Sequence, residues 1–411
     1  MAPKAVVYSL LLSISLAASC GQVSRTGQQS AAPGQRTTPA PEVSMQYTWR
    51  ATPDSIHFYL SFYDVSRLME LHRTATRLTY HVRGDNNEML LRDTVQVADQ
   101  AGAGNKEGVR MDITVPGAIV KSPNILHIKL WQRFAGEASV HSDFKIDLQQ
   151  GMLDKTALLV IASTGRPLIQ NYITTSDSLV LENPGPETAM KVYYFNTEFS
   201  PALPPMSQRP ELQPKTLQPL DSLTIASQDT VTFEREGLYL LWAGTPYAKG
   251  LLVEPWSYPM VTMAKEMLQP LIYLTTSAER EKLFKASDPK KAVDDFWLSV
   301  AGEKQLAREL IRTYYGRVEH ANKLYTSHKP GWTTDRGMIY MIFGPPSDIS
   351  RIANTETWIY RESDMQPYTK FVFTKKQNNF TENHYELIRR REYEESWYSA
   401  VAKWRAGITD I

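Results

Sequence analysis

The chain has 411 residues, with 45 Lys and Arg against 44 Asp and Glu, so its formal net charge is +1. Near-neutrality indicates no broad electrostatic attraction of the whole chain to nucleic acid or to an anionic surface. An apolar share of 42% is enough for real cores, and the length suggests two to three domains.

Residues 1–4 carry one positive charge, and residues 5–18 form the apolar run AVVYSLLLSISLAA. That run is shorter than the roughly 20 residues needed to cross hydrocarbon. Its length and flanks fit a secretory signal. It ends in Leu16-Ala17-Ala18-Ser19-Cys20, which resembles the lipobox of bacterial lipoproteins, with the leucine one place further from the cysteine than is usual. The resemblance implies that residues 1–19 are a lipoprotein signal peptide and that Cys20 is lipidated as the first mature residue. Cys20 is the only cysteine. An exported protein avoids a lone exposed thiol, because it pairs or oxidises, and a lipid on Cys20 removes that liability. Residues 20–44 read as a flexible tether, since residues 21–41 are Gln, Ser, Thr, Pro and Gly with almost no apolar bulk. No acidic residue stands between Cys20 and Glu42. An acidic cluster follows the cysteine in surface-exposed lipoproteins of some Gram-negative groups, so its absence implies an outer-membrane anchor facing the periplasm. Beyond Cys20 no run approaches transmembrane length, which leaves lipid as the attachment.

Residues 45–150 read as a β-sandwich domain. Short alternating or aromatic-rich runs lie at 55–63, 77–82, 88–95, 108–115, 124–133 and 139–148, with turn material at 84–87, 101–104 and 122–124. Residues 68–73 fit a short helical insertion. A second β-rich sandwich domain spans residues 151–254, with runs at 157–164, 178–182, 191–195, 222–226, 230–234, 238–242 and 250–254. Inside it, residues 201–219 are proline-rich and predict a long extended loop, because proline blocks central strands.

From residue 255 the pattern turns helical. Met260, Met263, Met267 and Leu271 share one helical face over residues 259–274. Thr276 and Glu279 make a capping box, and Asp288-Pro289 is a helix start. A long helix covers residues 303–325, with Leu306, Leu310, Tyr314, Val318, Ala321 and Tyr325 as its apolar stripe. Strands are predicted at 338–343, 356–361, 371–374 and 384–388, then a last helix at 391–404. The fold class is therefore multidomain: two antiparallel β-sandwich domains followed by a C-terminal α+β domain at 255–411, with helices and a small antiparallel sheet.

The most informative segment is residues 329–348, KPGWTTDRGMIYMIFGPPSD. It resembles the GWxTD domain family, through Gly331, Trp332, Thr334 and Asp335, then Arg336-Gly337, then Gly344-Pro345-Pro346. Upstream, YYGRVEHANKLY carries Arg317, Val318, Ala321 and Asn322 where that family has them, although Leu324 stands where the family usually has an aromatic. The resemblance spans roughly residues 259–411. It implies a signal-bearing protein of Bacteroidota or relatives, often with β-sandwich domains in front, and it implies no assigned reaction. Read physically, Gly331 and Gly337 can take positive φ and bracket a tight loop, while Trp332 plugs that loop onto the core. Thr334 and Asp335 can hydrogen-bond local backbone, Gly344-Pro345-Pro346 stops a strand stiffly, and Arg336 can pair with Glu319. The motif then reads as a helix–loop–strand corner, or as a partner surface.

Catalytic and metal-ligating patterns are missing from the sequence. The eight histidines, His57, His72, His81, His127, His141, His320, His328 and His384, include no HExxH or other i, i+4 zinc face, and no G-x-S-x-G elbow occurs. Gly102 and Gly104 lack a following helix and read as a turn. Glu319, His320 and Asp335 can converge only with strain, since adjacent helix positions lie about 100° apart. Asp294-Asp295, Glu394-Glu395 and Arg389-Arg390-Arg391 read as solvated faces. The expectation is a non-enzymatic lipoprotein with no cofactor, no metal and no nucleic-acid partner. It would be held to the membrane by its N-terminal lipid and would act as an interaction or scaffold subunit toward envelope proteins, in protein secretion or envelope assembly. The alternatives are a cell-wall or polysaccharide hydrolase with its site in the C-terminal domain, and a glycan-binding module.

Overall fold

Alternation of apolar and polar residues builds the first part of the chain. In a computed structural model that describes residues 43–65, 71–100, 104–105, 108–134, 139–183, 189–196, 198–209, 216–361 and 368–408, the first eight strands run β1 (Val43–Ala51), β2 (Ser55–Asp64), β3 (Ala75–Arg83), β4 (Met89–Gln96), β5 (Gly104–Asn105), β6 (Gly108–Pro116), β7 (Ile125–Gln132) and β8 (Val140–Asp147). Cys20, residues 20–42 of the expected tether and Gly102 lie outside the described residues, while Val43 and Ser44, expected in the tether, already belong to β1. Part of the expected 68–73 insertion also lies outside them, of which α1 (Leu71–Thr74) is seen. Two four-stranded antiparallel sheets, ordered β1-β2-β6-β5 and β4-β3-β7-β8, form the sandwich. In β7 every second side chain is buried, and Leu126, Ile128 and Leu130 meet Phe58, Leu60 and Phe62 of β2 in one core. This is what a strand's two-residue period requires of a sheet with one wet face.

The second sandwich adds β9 (Leu158–Ile161), β10 (Arg166–Pro167), β11 (Tyr172–Thr174), β12 (Ser178–Glu182), β13 (Met190–Phe195), β14 (Asp221–Ile225), β15 (Thr230–Thr232), β16 (Gly237–Leu241) and β17 (Lys249–Glu254). Its sheets are ordered β10-β9-β12-β15 and β11-β17-β16-β13-β14. One departure from the antiparallel expectation is that β11 pairs in parallel with β17. A three-residue strand gives too little periodicity to be seen in the sequence. Lys155 lies at the junction of the sandwiches. Its amine donates to Thr48 Oγ1 at 3.0 Å and sits 4.5 Å from the Trp49 ring and 4.7 Å from the Trp242 ring, at 3% exposure.

The C-terminal part carries α2 (Ala264–Leu268), α3 (Ser277–Phe284), α4 (Pro289–Ala301), α5 (Lys304–Tyr325), α6 (Asp335–Phe343) and α7 (Glu394–Arg405), with the antiparallel sheet β18 (Asp348–Ile352), β19 (Thr355–Tyr360), β20 (Thr369–Lys375) and β21 (Tyr385–Leu387). The capping box of α3 and the Asp288 cap of α4 form as expected. The helix expected over 259–274 is cut short: α2 gives way to a 3-10 turn, Gln269–Tyr273, where Pro270 has no N–H to donate. Met260 and Met263 accordingly stay exposed, at 48% each, while Leu271 is buried.

The larger correction concerns residues 338–343, expected as a strand and found as the body of α6. All nine residues of α6 are buried. With neighbours on every side there is no polar face, and an apolar run of six carries no period that separates helix from strand. The deciding signal is Thr334, whose hydroxyl accepts from the Gly337 N–H at 3.0 Å and caps the helix. Described residues of all three parts belong to one compact unit, and the C-terminal core includes Val65 from the end of β2 and Ala202 from the proline-rich loop.

Candidate functional site

The motif lies between the amphipathic α5 and the wholly buried α6. Helix α5 ends at Tyr325, residues 326–329 are all buried, and Gly331–Thr333 makes one 3-10 turn before α6 starts. Asn322 on α5 is fully buried and holds this turn. Its Oδ1 accepts from the Trp332 N–H at 3.0 Å, and its Nδ2 donates to Pro259 O at 2.9 Å. The Thr334 hydroxyl also donates to Gly331 O at 2.7 Å.

The glycines are required for a reason other than the expected one. Neither Gly331 nor Gly337 has positive φ. A Cβ on Gly331 would stand 2.0 Å from Ala321 O, and one on Gly337 would stand 1.9 Å from Gly331 O. The need is for space where α5, the turn and α6 touch. Gly344 does take positive φ, +79°, and ends α6 rather than a strand. Arg317 closes that end, donating from Nη1 to Met341 O and Ile342 O at 3.2 Å each, and Trp404 Nε1 donates to Ile342 O at 3.0 Å. Pro345 beyond it is exposed and Pro346 half-buried. Trp332 is partly rather than fully buried, edge-on to Tyr273 with ring centres 6.2 Å apart.

Two buried ion pairs hold the charged residues of the motif. The Asp335 carboxylate takes Arg389 in a two-pronged pair, Nη2 to Oδ1 at 2.6 Å and Nη1 to Oδ2 at 3.3 Å, and accepts the Leu387 N–H at 2.6 Å. Arg389 is thus no member of a solvated run. Its Nη2 also donates to Leu203 O at 3.2 Å. Arg336 does not meet Glu319. It donates to Asn383 O at 2.9 Å, approaches Glu356 Oε1 at 3.5 Å, and stacks over Tyr385 at 4.0 Å. Burial pushes the Glu356 carboxyl up, but Arg336 and Arg351 outweigh it and hold the group below its ordinary range. Asn383 returns to the end of α5, donating to Leu324 O and Thr326 O at 3.1 Å each.

The remaining bonds leave the C-terminal domain. Thr333 O accepts the Ala202 N–H at 2.9 Å, Lys329 Nζ donates to Ser200 O at 3.1 Å, and the Arg390 N–H donates to Pro205 O at 3.1 Å. Residues 200–205 of the proline-rich loop are therefore a strap bound along the motif. Tyr340 on α6 donates to Val65 O of the first sandwich at 3.3 Å. The second sandwich touches the same neighbourhood again where the Gly250 N–H meets Phe380 O at 2.7 Å. A Cβ at Gly250 would lie 2.7 Å from that oxygen.

Glu319, His320 and Asp335 do not converge. Glu319 pairs with Lys323 at 2.7 Å, while His320 Nδ1 sits 3.3 Å from the Tyr340 hydroxyl, its ring pushed toward the neutral form by burial. Among the described residues no group of three His, Cys, Asp or Glu side chains is placed to hold a metal, and no helix is long and apolar enough to cross a membrane. A cavity of about 120 Å³ lies in the second sandwich, lined by Lys155, Lys191, Trp242, Thr245 and Tyr247 among others, and not by the motif. Sequence reasoning missed Arg389, Asn383, Glu356 and the strap. Their link to the motif is tertiary, and no local spacing announces it.

Residues 237–406 match the GWxTD domain family. The match starts within the second sandwich, at β16, earlier than the motif resemblance alone reaches. No curated protein matches the chain. Among solved structures, a mutant of Salmonella alpha-2-macroglobulin is 13% identical with a TM-score of 0.18, covering 52% of this chain and 16% of that one. The native conformation of E. coli alpha-2-macroglobulin is 12% identical with a TM-score of 0.18, covering 53% of this chain and 16% of that one. The chain thus spans about a sixth of the length of these proteins.

Proposed function

The chain carries a GWxTD domain at residues 237–406, behind β-rich sheets, and on that premise we propose that it is a periplasm-facing outer-membrane lipoprotein, anchored at Cys20. It works as a non-enzymatic interaction or scaffold subunit toward envelope proteins, in secretion or envelope assembly. One observation carries this proposal: the polar groups of the motif bind other parts of the same chain. Asp335, Lys329 and Thr333 join the strap and β21, directly or through Arg389, and Asn322 ties the motif turn to α5, so that all form one frame. The guanidinium fork and the backbone N–H together occupy both oxygens of the Asp335 carboxylate with strong, charge-assisted bonds, which suits a fastening role. A frame of this kind presents the outer faces of two sandwiches at fixed positions, which is the mechanical requirement of a scaffold.

The test is crosslinking in cells, followed by affinity purification of the full chain from membranes. A reproducible envelope-protein partner supports the proposal. A co-purifying cell-wall or polysaccharide fragment, shortened on incubation, would replace it with the hydrolase, and an intact glycan with the glycan-binding module.

A further inference from the structure

The near-zero net charge of the chain conceals a local row of basic side chains. On the outer face of the β4-β3-β7-β8 sheet, the register places Arg92, His81, His127 and Lys145 directly opposite one another across four strands. Strands lie about 4.8 Å apart, so the row spans roughly 14 Å. The two imidazoles stack nearly parallel, with centres 4.8 Å apart and 2° between planes. Arg83 follows His81 on the same face of β3. The row contains no carboxylate. Two acids flank Lys145 on the face, two positions away on either side: Asp143, taken by Lys129 and His141 at 3.2 Å each, and Asp147, which stands opposite Ile125 on the Arg83 side of the row. Arg92 and Lys145 are exposed, and neither makes a hydrogen bond or ion pair among the described residues.

At neutral pH the two imidazoles separate the Arg92 and Lys145 charges; protonating them sets like charges directly opposite one another, which destabilises a sheet unless something outside the chain compensates it. A lone anion on a flat exposed face gains little. An extended, flat array of anions meets every member of the row at once, and each Lys or Arg near such a surface adds to binding. At the end of the same sheet, where the β3–β4 ladder is broken by a bulge, Met89 and Leu90 are 48% and 38% exposed. An apolar pair beside a basic row suits a headgroup layer better than a hydrated polymer.

We propose that this face docks on anionic phospholipid headgroups and lays the first sandwich against the membrane leaflet. The setting rests on the lipoprotein proposal, but the contact itself does not require the lipid. The histidines add a pH response. Both imidazoles are held toward the neutral form, first by burial and then by neighbouring charge: Arg83, Lys129 and Arg92 around His81, and His81, Lys145 and Arg83 around His127, with Asp143 opposing weakly at each. The turn acids Asp85 and Glu88 lie beyond the row. Bound phosphates favour protonation, so acidification tightens binding.

The test uses the chain from residue 21, which keeps every described residue and lacks Cys20, in flotation with phosphatidylcholine vesicles with and without phosphatidylglycerol. Expected are binding to the anionic vesicles only, release at about 0.5 M salt, and tighter binding at about pH 5.5 than at neutral pH. Arg92→Glu with Lys145→Glu should weaken binding by about tenfold or more with unchanged melting. His81→Asn with His127→Asn should remove the pH response and keep the neutral-pH binding. Equal binding to both vesicle types, or a double-Glu variant that binds like its parent, overturns the proposal. So does binding to soluble heparin without binding to vesicles. Lipid labelling at Cys20 is read separately, so the anchor can fail while this contact stands, and the reverse.

Discussion

Asp335 and Arg389 are the pair on which the motif turns. Each is buried or nearly so, with side-chain exposures of 4% and 15%. Removing one charge leaves the other uncompensated, so Asp335→Asn should destabilise the C-terminal domain by about 3–5 kcal/mol in denaturant unfolding. A carboxylate that merely accepted a backbone N–H would give about 1 kcal/mol, and a loss that small would show the guanidinium fork to be absent in solution. Lys155 makes a different prediction. Burial, reinforced by Lys249, pulls its amine from 10.5 down to about 7. Below about pH 7 the amine is charged in folded and unfolded chains alike, and the full penalty of burying it is present. Above that, the folded protein has released the proton and the unfolded chain has not, so stability rises with pH, by at most about 1.4 kcal/mol per unit for one group. Lys249, drawn down to about 8 by burial, adds to the rise above that pH. Lys155→Met should therefore raise the melting temperature at pH 6–7 and flatten its increase between about pH 7 and 8. A variant less stable than its parent at pH 6 would show that the two indoles outweigh the penalty.

Among the elements, α6 shows where the sequence was informative and where it was not. Its cap, Thr334, and its terminator, Gly344, stand in the sequence, as do the long stripe of α5, the capping box of α3 and the alternation of β2 and β7. Amphipathic elements announce themselves because one face is wet. Helix α6 is dry all round, and so its apolar run reads equally well as a strand. The motif was legible as a corner, and its glycines as necessary. The reason for them was not legible, because close approach of α5 to the turn is a fact of packing and leaves no local pattern. Arg389 was read as solvated for the same reason: its partner lies 54 positions earlier. The packing account predicts that Gly337→Ala, which puts a methyl 1.9 Å from Gly331 O, detaches the turn from α6. The expected cost is about 3 kcal/mol or more, at the upper end of overpacking effects. Gly316→Ala, on the same long α5 and with open space at its Cβ, should instead stabilise by a few tenths to about 1 kcal/mol. Parallel thermal melts of the two variants check both, and similar changes in both would contradict the packing account.

For the whole molecule, the proposal joins a lipid-anchored chain to a frame. Cys20→Ala should leave the folded part unchanged by circular dichroism while abolishing lipid labelling and releasing the protein from membranes, or leaving its signal unprocessed. Lipid labelling equal to the parent's would remove the anchor from the account. The central claim is that the GWxTD motif ties the proline-rich strap and the small sheet to the helices. Hydrogen exchange read by mass spectrometry on the parent and on Asp335→Asn, at a temperature where both are folded, tests it most directly. The account predicts faster exchange together in the motif turn, in strap residues 200–205 and in residues 385–390, with β2, β3 and β7 of the first sandwich unchanged. Exchange at the strap equal to the parent's, in a variant that melts normally but no longer functions, would contradict it and make Asp335 a reacting group.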